Sequence, residues 1–163
     1  MSRVTLRAAS TALAGILIAI GGCTESPSSP AQQQFVLRGA HARFSASGTS
    51  SALIDQRGGS LVSPAGDRVT FPAGALTAPT QISITSDETY VGVELQPHGL
   101  QFPAGHLPVL QLNTVGSNAA SFSHVDVAYV DHGSVAEILS ATDGSGTVAT
   151  NLQHFSGYTA ISH

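Results

Sequence analysis

From residue 51 onward, apolar and polar positions alternate in short runs broken by Gly, Pro, Asn and Asp. Ile82 and Ile84 share one face of the run 81–86, and Val91, Val93 and Leu95 share one face of 90–96, leaving Glu94 turned outward. Further apolar or alternating runs cover 52–55, 60–63, 67–71, 109–113, 125–130, 135–139, 146–152 and 158–161. A period of two is the signature of a strand with one buried face. The runs are enriched in β-branched residues, and turn signals recur every 8–12 residues or so, the spacing of a sandwich or barrel. No long window after residue 22 carries the 3.6 period of a helix. The pattern therefore predicts an all-β fold, a single small antiparallel β-sandwich over residues 51–163.

Two turns can be placed from their chemistry. Pro64-Ala65-Gly66 joins the runs on either side as a hairpin, because Pro presets φ and Gly supplies a positive φ. Asp143-Gly144-Ser145-Gly146 reads as a second hairpin turn. Phe71-Pro72-Ala73-Gly74 recurs as Phe102-Pro103-Ala104-Gly105, each followed one residue later by a leucine, Leu76 and Leu107. The flanks do not otherwise align. One turn chemistry used twice, with Phe buried and Pro-Ala-Gly reversing the chain, accounts for the echo without a duplicated unit.

The first 50 residues follow a different pattern. Arg3 and Arg7 precede a charge-free apolar stretch, residues 8–20, and Gly21-Gly22 lead into Cys23, the one cysteine of the chain. The apolar stretch is shorter than the roughly 18–20 residues a spanning helix needs. The arrangement resembles a bacterial lipoprotein signal, in which the cysteine after the lipobox is acylated. The resemblance implies a signal peptide at 1–22 and lipidation at Cys23. An uncleaved anchor and a plain secretory signal are the alternatives. One acyl chain holds a protein to a membrane only reversibly, whereas the several chains of a lipoprotein cysteine hold it durably. Thr24, where an inner-membrane retention signal shows Asp, implies an outer-membrane location if the organism is Gram-negative. Residues 23–50 are expected to form the lipidated start and a flexible linker, being Pro/Ser-rich at first. Phe35-Val36-Leu37 and Phe44 interrupt that character, as an added edge strand or as a sticky part of the linker.

Charge narrows the partners. The chain has no lysine, and beyond residue 22 ten acidic residues face Arg38, Arg43, Arg57 and Arg68. No basic patch exists for a phosphate backbone, so nucleic acid is excluded as a partner. The same balance leaves attachment to a membrane to the acyl chains on Cys23. With no second cysteine there is no internal disulfide, and the fold must rest on its core.

Gly58-Gly59-Ser60-Leu61, followed by Gly66-Asp67-Arg68-Val69-Thr70-Phe71-Pro72-Ala73-Gly74-Ala75-Leu76, is similar to the opening of a ZU5 domain. Leu95-Gln96-Pro97-His98-Gly99-Leu100-Gln101-Phe102, with Pro108-Val109-Leu110-Gln111-Leu112 behind it, resembles that family's middle hairpin. His154-Phe155-Ser156-Gly157-Tyr158 resembles the closing motif of its bacterial modules. The resemblance runs from about residue 52 to the C-terminus. It implies a small β-sandwich that serves as a non-catalytic interaction or structural module in the cell envelope, with an unknown protein or envelope partner. The domains that accompany animal members are missing here, and their partners do not carry over.

In some ZU5-containing animal proteins the tripeptide His-Phe-Ser cuts itself. Mapped by resemblance, Ser156 is the nucleophile, His154 the assisting base, and Phe155–Ser156 the scissile bond. The plain alternative is that Phe155 and Tyr158 pack the last strand into the core, with His154 and Ser156 on loop edges. The remaining histidines, His41, His98, His106, His124, His132 and His163, form no pair with metal-binding spacing, and Asp126, Asp131 and Asp143 lack the run of a calcium loop. No Gly-x-Ser-x-Gly elbow and no phosphate-cradling glycine loop occurs. The expectation is a non-enzyme without cofactor or metal. A site assembled from distant His98, His124 and Asp126 is a further reading for the coordinates to decide.

Overall fold

The computed structural model describes residues 33–39 and 48–162, so the Cys23 reading lies outside the described residues, as do Arg43, Phe44 and residues 40–47 as a whole. Two antiparallel sheets face each other. Strands β1 (Gln34–Phe35), β2 (Thr49–Ile54), β3 (Gly59–Val62), β4 (Arg68–Phe71), β5 (Thr80–Ser86) and β6 (Gly92–Gln96) form the first half. Strands β7 (Val109–Asn113), β8 (Val125–Asp131), β9 (Ser134–Leu139), β10 (Thr142–Gly144), β11 (Thr147–Asn151) and β12 (Gly157–Ser162) complete it, with one 3-10 turn at Ala119–Ser121. The seven-stranded sheet runs β2-β5-β6-β12-β8-β9, with β1 added against β12, and the five-stranded sheet runs β10-β11-β7-β4-β3. The expected all-β sandwich is the observed fold.

Alternation decides which side chains meet between the sheets. Ile82, Ile84, Val93, Leu95, Val127, Tyr158 and Ala160 point inward from the larger sheet, and Leu61, Val69, Phe71, Leu110, Leu112 and Val148 from the smaller. Register keeps like with like: Ile84 lies opposite Leu95, Val69 opposite both Leu61 and Leu110, and Leu112 opposite Val148. Fully burying each such side chain contributes about 1.5–3 kcal/mol. Phe71, Phe102 and Phe155 form a tilted aromatic cluster at one end of the core, with centroids 6.0, 5.7 and 5.1 Å apart. The repeated Phe-Pro-Ala-Gly turns feed that cluster. In each, the N–H three residues after the proline returns to its carbonyl, Ala75 to Pro72 (3.2 Å) and His106 to Pro103 (3.0 Å). Gly74 and Gly105 take φ of 82° and 87°, as the turn demands. His106 Nδ1 lies 2.7 Å from the Ala73 carbonyl, joining one turn to the other.

The hairpin chemistry falls where the residues placed it. Pro64-Ala65-Gly66 links β3 to β4, with Gly66 at φ 87°. Ser145-Gly146 closes β10 onto β11, and β10 itself went unread because Thr142-Asp143-Gly144 carries no apolar residue. His132-Gly133 joins β8 to β9 with φ of 48° and 77°, the two positive values of a type I′ turn.

The boundary drawn at residue 51 needs correcting. The expected linker, residues 23–50, gives Gln34, Phe35, Val36, Leu37 and Arg38 to the sandwich. β6 covers only the first half of one edge of β12, at Gly157, Tyr158 and Thr159, and β1 covers the second half, at Ile161 and Ser162. Beyond β1, Val36 donates to Ala160 O (2.9 Å) and accepts from Val91 N–H (2.8 Å), and its side chain is wholly buried. Leu37 pairs with Tyr90 and Arg38 with Ser117. The segment is a strap across the sandwich end.

Arg38 carries the strap's charge into the interior. It is 3% exposed and its Nη2 donates to Asp67 Oδ2 at 2.7 Å; Asp67 is fully buried. Arg38 also donates to the carbonyls of Asp87 (2.8 Å) and Gly92 (3.2 Å). Asp67 Oδ2 accepts from the Ser86 hydroxyl (2.5 Å), which itself lies 2.7 Å from Ser63 Oγ, and Asp67 Oδ1 accepts from Asn113 N–H (2.9 Å). Ser63, Asp67 and Asn113 belong to the smaller sheet's end, and Ser86 and Gly92 to the larger. One carboxylate ties both sheets to the strap.

Breaking one partner of a buried pair leaves the other charge unpaired, which costs about 3–5 kcal/mol. Urea unfolding of Asp67→Ala should show a loss of that size, and Val36→Ala a loss of about 2 kcal/mol from its emptied volume. Wild-type stability in either variant would mean that the strap is not part of the cooperative fold.

Candidate functional site

The outer face of the seven-stranded sheet is hollowed where β5, β6, β12 and β8 meet. Two glycines, Gly92 and Gly157, are among its lining residues. Gly92 lies opposite Thr159, and Gly157 is paired to both Glu94 and Val130. A Cβ on Gly157 would stand 2.8 Å from Glu94 Oε2, and one on Gly92 would stand 2.8 Å from the Tyr158 carbonyl oxygen. The glycines admit the Glu94 carboxylate and the Tyr158 carbonyl at close approach, and the groove over this face has a volume of about 860 Å³.

Four carboxylates stand in its walls. Asp87, Glu88, Glu94 and Asp131 line it, with His98 and His132 beside them. His98 Nε2 is hydrogen-bonded to Glu94 Oε1, and His132 Nδ1 lies 2.8 Å from Asp131 Oδ1. Asp87 caps its own turn, one carboxylate oxygen accepting the N–H groups of Thr89 and Tyr90 at 2.7 Å each. At one end Phe35 and Tyr90 form an aromatic pair with centroids 5.3 Å apart, each more than a third exposed. Phe35 comes from the strap, so one end of the groove wall depends on the segment before residue 51.

The His-Phe-Ser tripeptide lies between the groove and the core. Phe155 is buried in the aromatic cluster and its N–H donates to Leu100 O (2.8 Å). The Phe155 carbonyl accepts from Gly99 N–H at 3.0 Å. Ser156 is half-buried and borders the groove, while its carbonyl accepts from Leu95 N–H (3.1 Å). His154 turns towards tyrosines instead. Its ring meets Tyr129 edge-on at 4.8 Å, and Nδ1 lies 3.3 Å from the Tyr158 hydroxyl. That hydroxyl donates to the His154 carbonyl at 2.5 Å. Among the described residues no hydrogen bond joins His154 to Ser156.

The other sequence candidates separate. His124 lies between two carboxylates, with Nε2 3.2 Å from Asp126 and Nδ1 3.1 Å from Asp143. These three do come together at the start of β8. Asp131 ends that strand, about 20 Å away at 3.3 Å per residue. His98, which follows β6 and is hydrogen-bonded to Glu94, lines the groove with Asp131. A site uniting His98 with His124 and Asp126 is thereby ruled out, and Asp131 does not join Asp126 and Asp143. Among the described residues no helix is long and apolar enough to cross a membrane.

Arg38, Phe35 and Tyr90 were missed as site-forming residues. The signal was present in Phe35-Val36-Leu37-Arg38, where Val36 and Arg38 share one side of an extended chain and are both buried. No protein-family model matches the chain, and no curated protein matches it.

Burial first, then the neighbouring charge of Glu137 and then Tyr129, pushes the Tyr158 phenol well above the ordinary tyrosine value. A raised acid is stabilising while neutral, so this contribution is complete below about pH 10 and is lost as pH rises through the elevated value. Tyr158→Phe should cost about 1 kcal/mol at neutral pH for its hydrogen bond and flatten the alkaline fall in stability. Thermal melts from neutral to strongly alkaline pH read both effects, and an unchanged alkaline limb would refute the assignment.

Proposed function

We propose that this protein is a lipoprotein of the cell envelope, held by acyl chains on Cys23, whose ZU5-like β-sandwich is a non-catalytic interaction module. The observation that carries the reading is the groove. A closed sandwich needs no hollow on its outer face, yet this one carries a groove with an exposed aromatic pair at one end. Surfaces of that kind suit recognition, with backbone and aromatic contacts supplying affinity. The signal-like start of the chain and the resemblance blocks support the envelope location and the ZU5-like reading. Thr24 favours the outer membrane where one is present.

A second reading has one observation in its favour. The Phe155 carbonyl already accepts a backbone N–H from Gly99, the kind of donor that stabilises charge developing on a carbonyl under attack. On that reading Ser156 attacks the carbonyl carbon, the amide shifts to an ester, and water hydrolyses it, leaving residues 156–163 as a cut tail. His154 would first have to leave the Tyr158 hydroxyl, so the interaction module is the preferred function.

Two measurements test these readings. Cys23→Ser should move the protein from the membrane fraction to the soluble fraction, and mass spectrometry of the wild-type start should find acyl groups on Cys23. An unmodified thiol there would overturn the anchoring. Intact mass of the purified chain should show one uncut species, identical in pattern to Ser156→Ala. A fragment ending at Phe155 in the wild type and missing from that variant would instead establish self-cleavage.

A further inference from the structure

We propose that the groove on the outer face of the seven-stranded sheet binds an extended polypeptide segment bearing arginine or lysine side chains. This rests on the interaction-module reading and names its partner class. Asp87, Glu88, Glu94 and Asp131 line the groove, and neither Arg57 nor Arg68 does. Among the described residues Arg38 is the arginine closest to it, and it is committed behind the wall to Asp67 and to the carbonyls of Asp87 and Gly92. Among the described residues no lysine or arginine side chain lines the groove, and His98 and His132 stand beside Glu94 and Asp131.

Geometry selects a chain over a single ion. Four adjacent strands, β5, β6, β12 and β8, contribute to the floor, and at about 4.8 Å between strands they span about 15 Å. One cation meets at most one or two of the acids at that spacing. An extended segment with cations on alternate residues, about 6.6 Å apart, can address Asp131 and Glu94 at one end and Glu88 at the other. The exposed Phe35–Tyr90 pair offers a ring face for a guanidinium or ammonium group beside Asp87 and Glu88.

The test uses the full chain in non-ionic detergent and a fluorescent octapeptide alternating lysine and serine, with its glutamate counterpart as control. Fluorescence anisotropy should show the lysine peptide binding and the glutamate peptide ignored, with affinity falling as salt is raised. Glu88→Gln combined with Asp131→Asn should weaken binding about tenfold or more, while Asp55→Asn, on the remote β2–β3 turn, should leave it unchanged. Phe35→Ala should weaken it by a smaller factor, with the melting temperature confirming that each variant folds. Equal binding of the two peptides, no binding of the lysine peptide, or an equal loss in Asp55→Asn would overturn the proposal. Crosslinking in the native envelope separates the two levels: a partner captured on another surface, with the lysine peptide ignored, refutes the groove while the interaction-module reading stands.

Discussion

One buried carboxylate holds the two sheets and the strap in register. Asp67 is fully enclosed and accepts from Arg38, Ser86 and Asn113, which reach it from three different parts of the fold. A charge so placed is tolerable only if each of its lone pairs is answered, because the cost of stripping its water exceeds what any single contact returns. The geometry meets that condition. Among the described residues no buried side-chain nitrogen or oxygen lacks a partner. The consequence is directional: β4 cannot slide against β5, nor the strap lift from β12, without exposing an ion to an apolar interior.

The same constraint explains how the outer face stays open. The strap brings Phe35 alongside Tyr90, and Arg38 pins the carbonyls of Asp87 and Gly92, the residues that begin and end the turn carrying Glu88 and Tyr90. The acidic wall is thus positioned from inside, by a cation that solvent does not reach. Gly92 serves both sides, since its carbonyl faces the buried arginine while its missing Cβ lets the Tyr158 carbonyl and Thr159 pack close. Core and groove are two faces of one arrangement.

Most of the fold was legible in the sequence because period-2 alternation maps directly onto which side is buried. Ile82 and Ile84, Val91 to Leu95, and the Pro64-Ala65-Gly66 turn fell where their spacing put them. Two kinds of element did not. β10 has three exposed residues and exists through hydrogen bonds to β11, which leave no mark on hydropathy. The strap is read as linker because β1 pairs only two residues, too few for alternation to show, and because Arg38 looks like a surface charge until Asp67 is seen opposite it. Long-range pairing of this sort, 29 residues apart in sequence, has no local signature. The candidate site suffered similarly. His154 and Ser156 were visible as a motif, but which way His154 faces is set by Tyr129 and Tyr158, and the acidic groove is spread over strands that only the topology brings together.

Under the proposed anchoring, the strap also shortens the leash. A linker lasting to residue 50 would let the sandwich stand well clear of the bilayer. With Gln34 already paired to Ser162, only residues 24–33 lie between the lipid and the fold, and fully extended they reach at most about 40 Å. Any pull from the membrane enters at β1 and meets Val36 and Arg38 next, the most deeply held positions of the segment. Load at the anchor is therefore borne by the contact that closes the two sheets, and the groove wall built from Phe35 stands at the point where tether becomes fold.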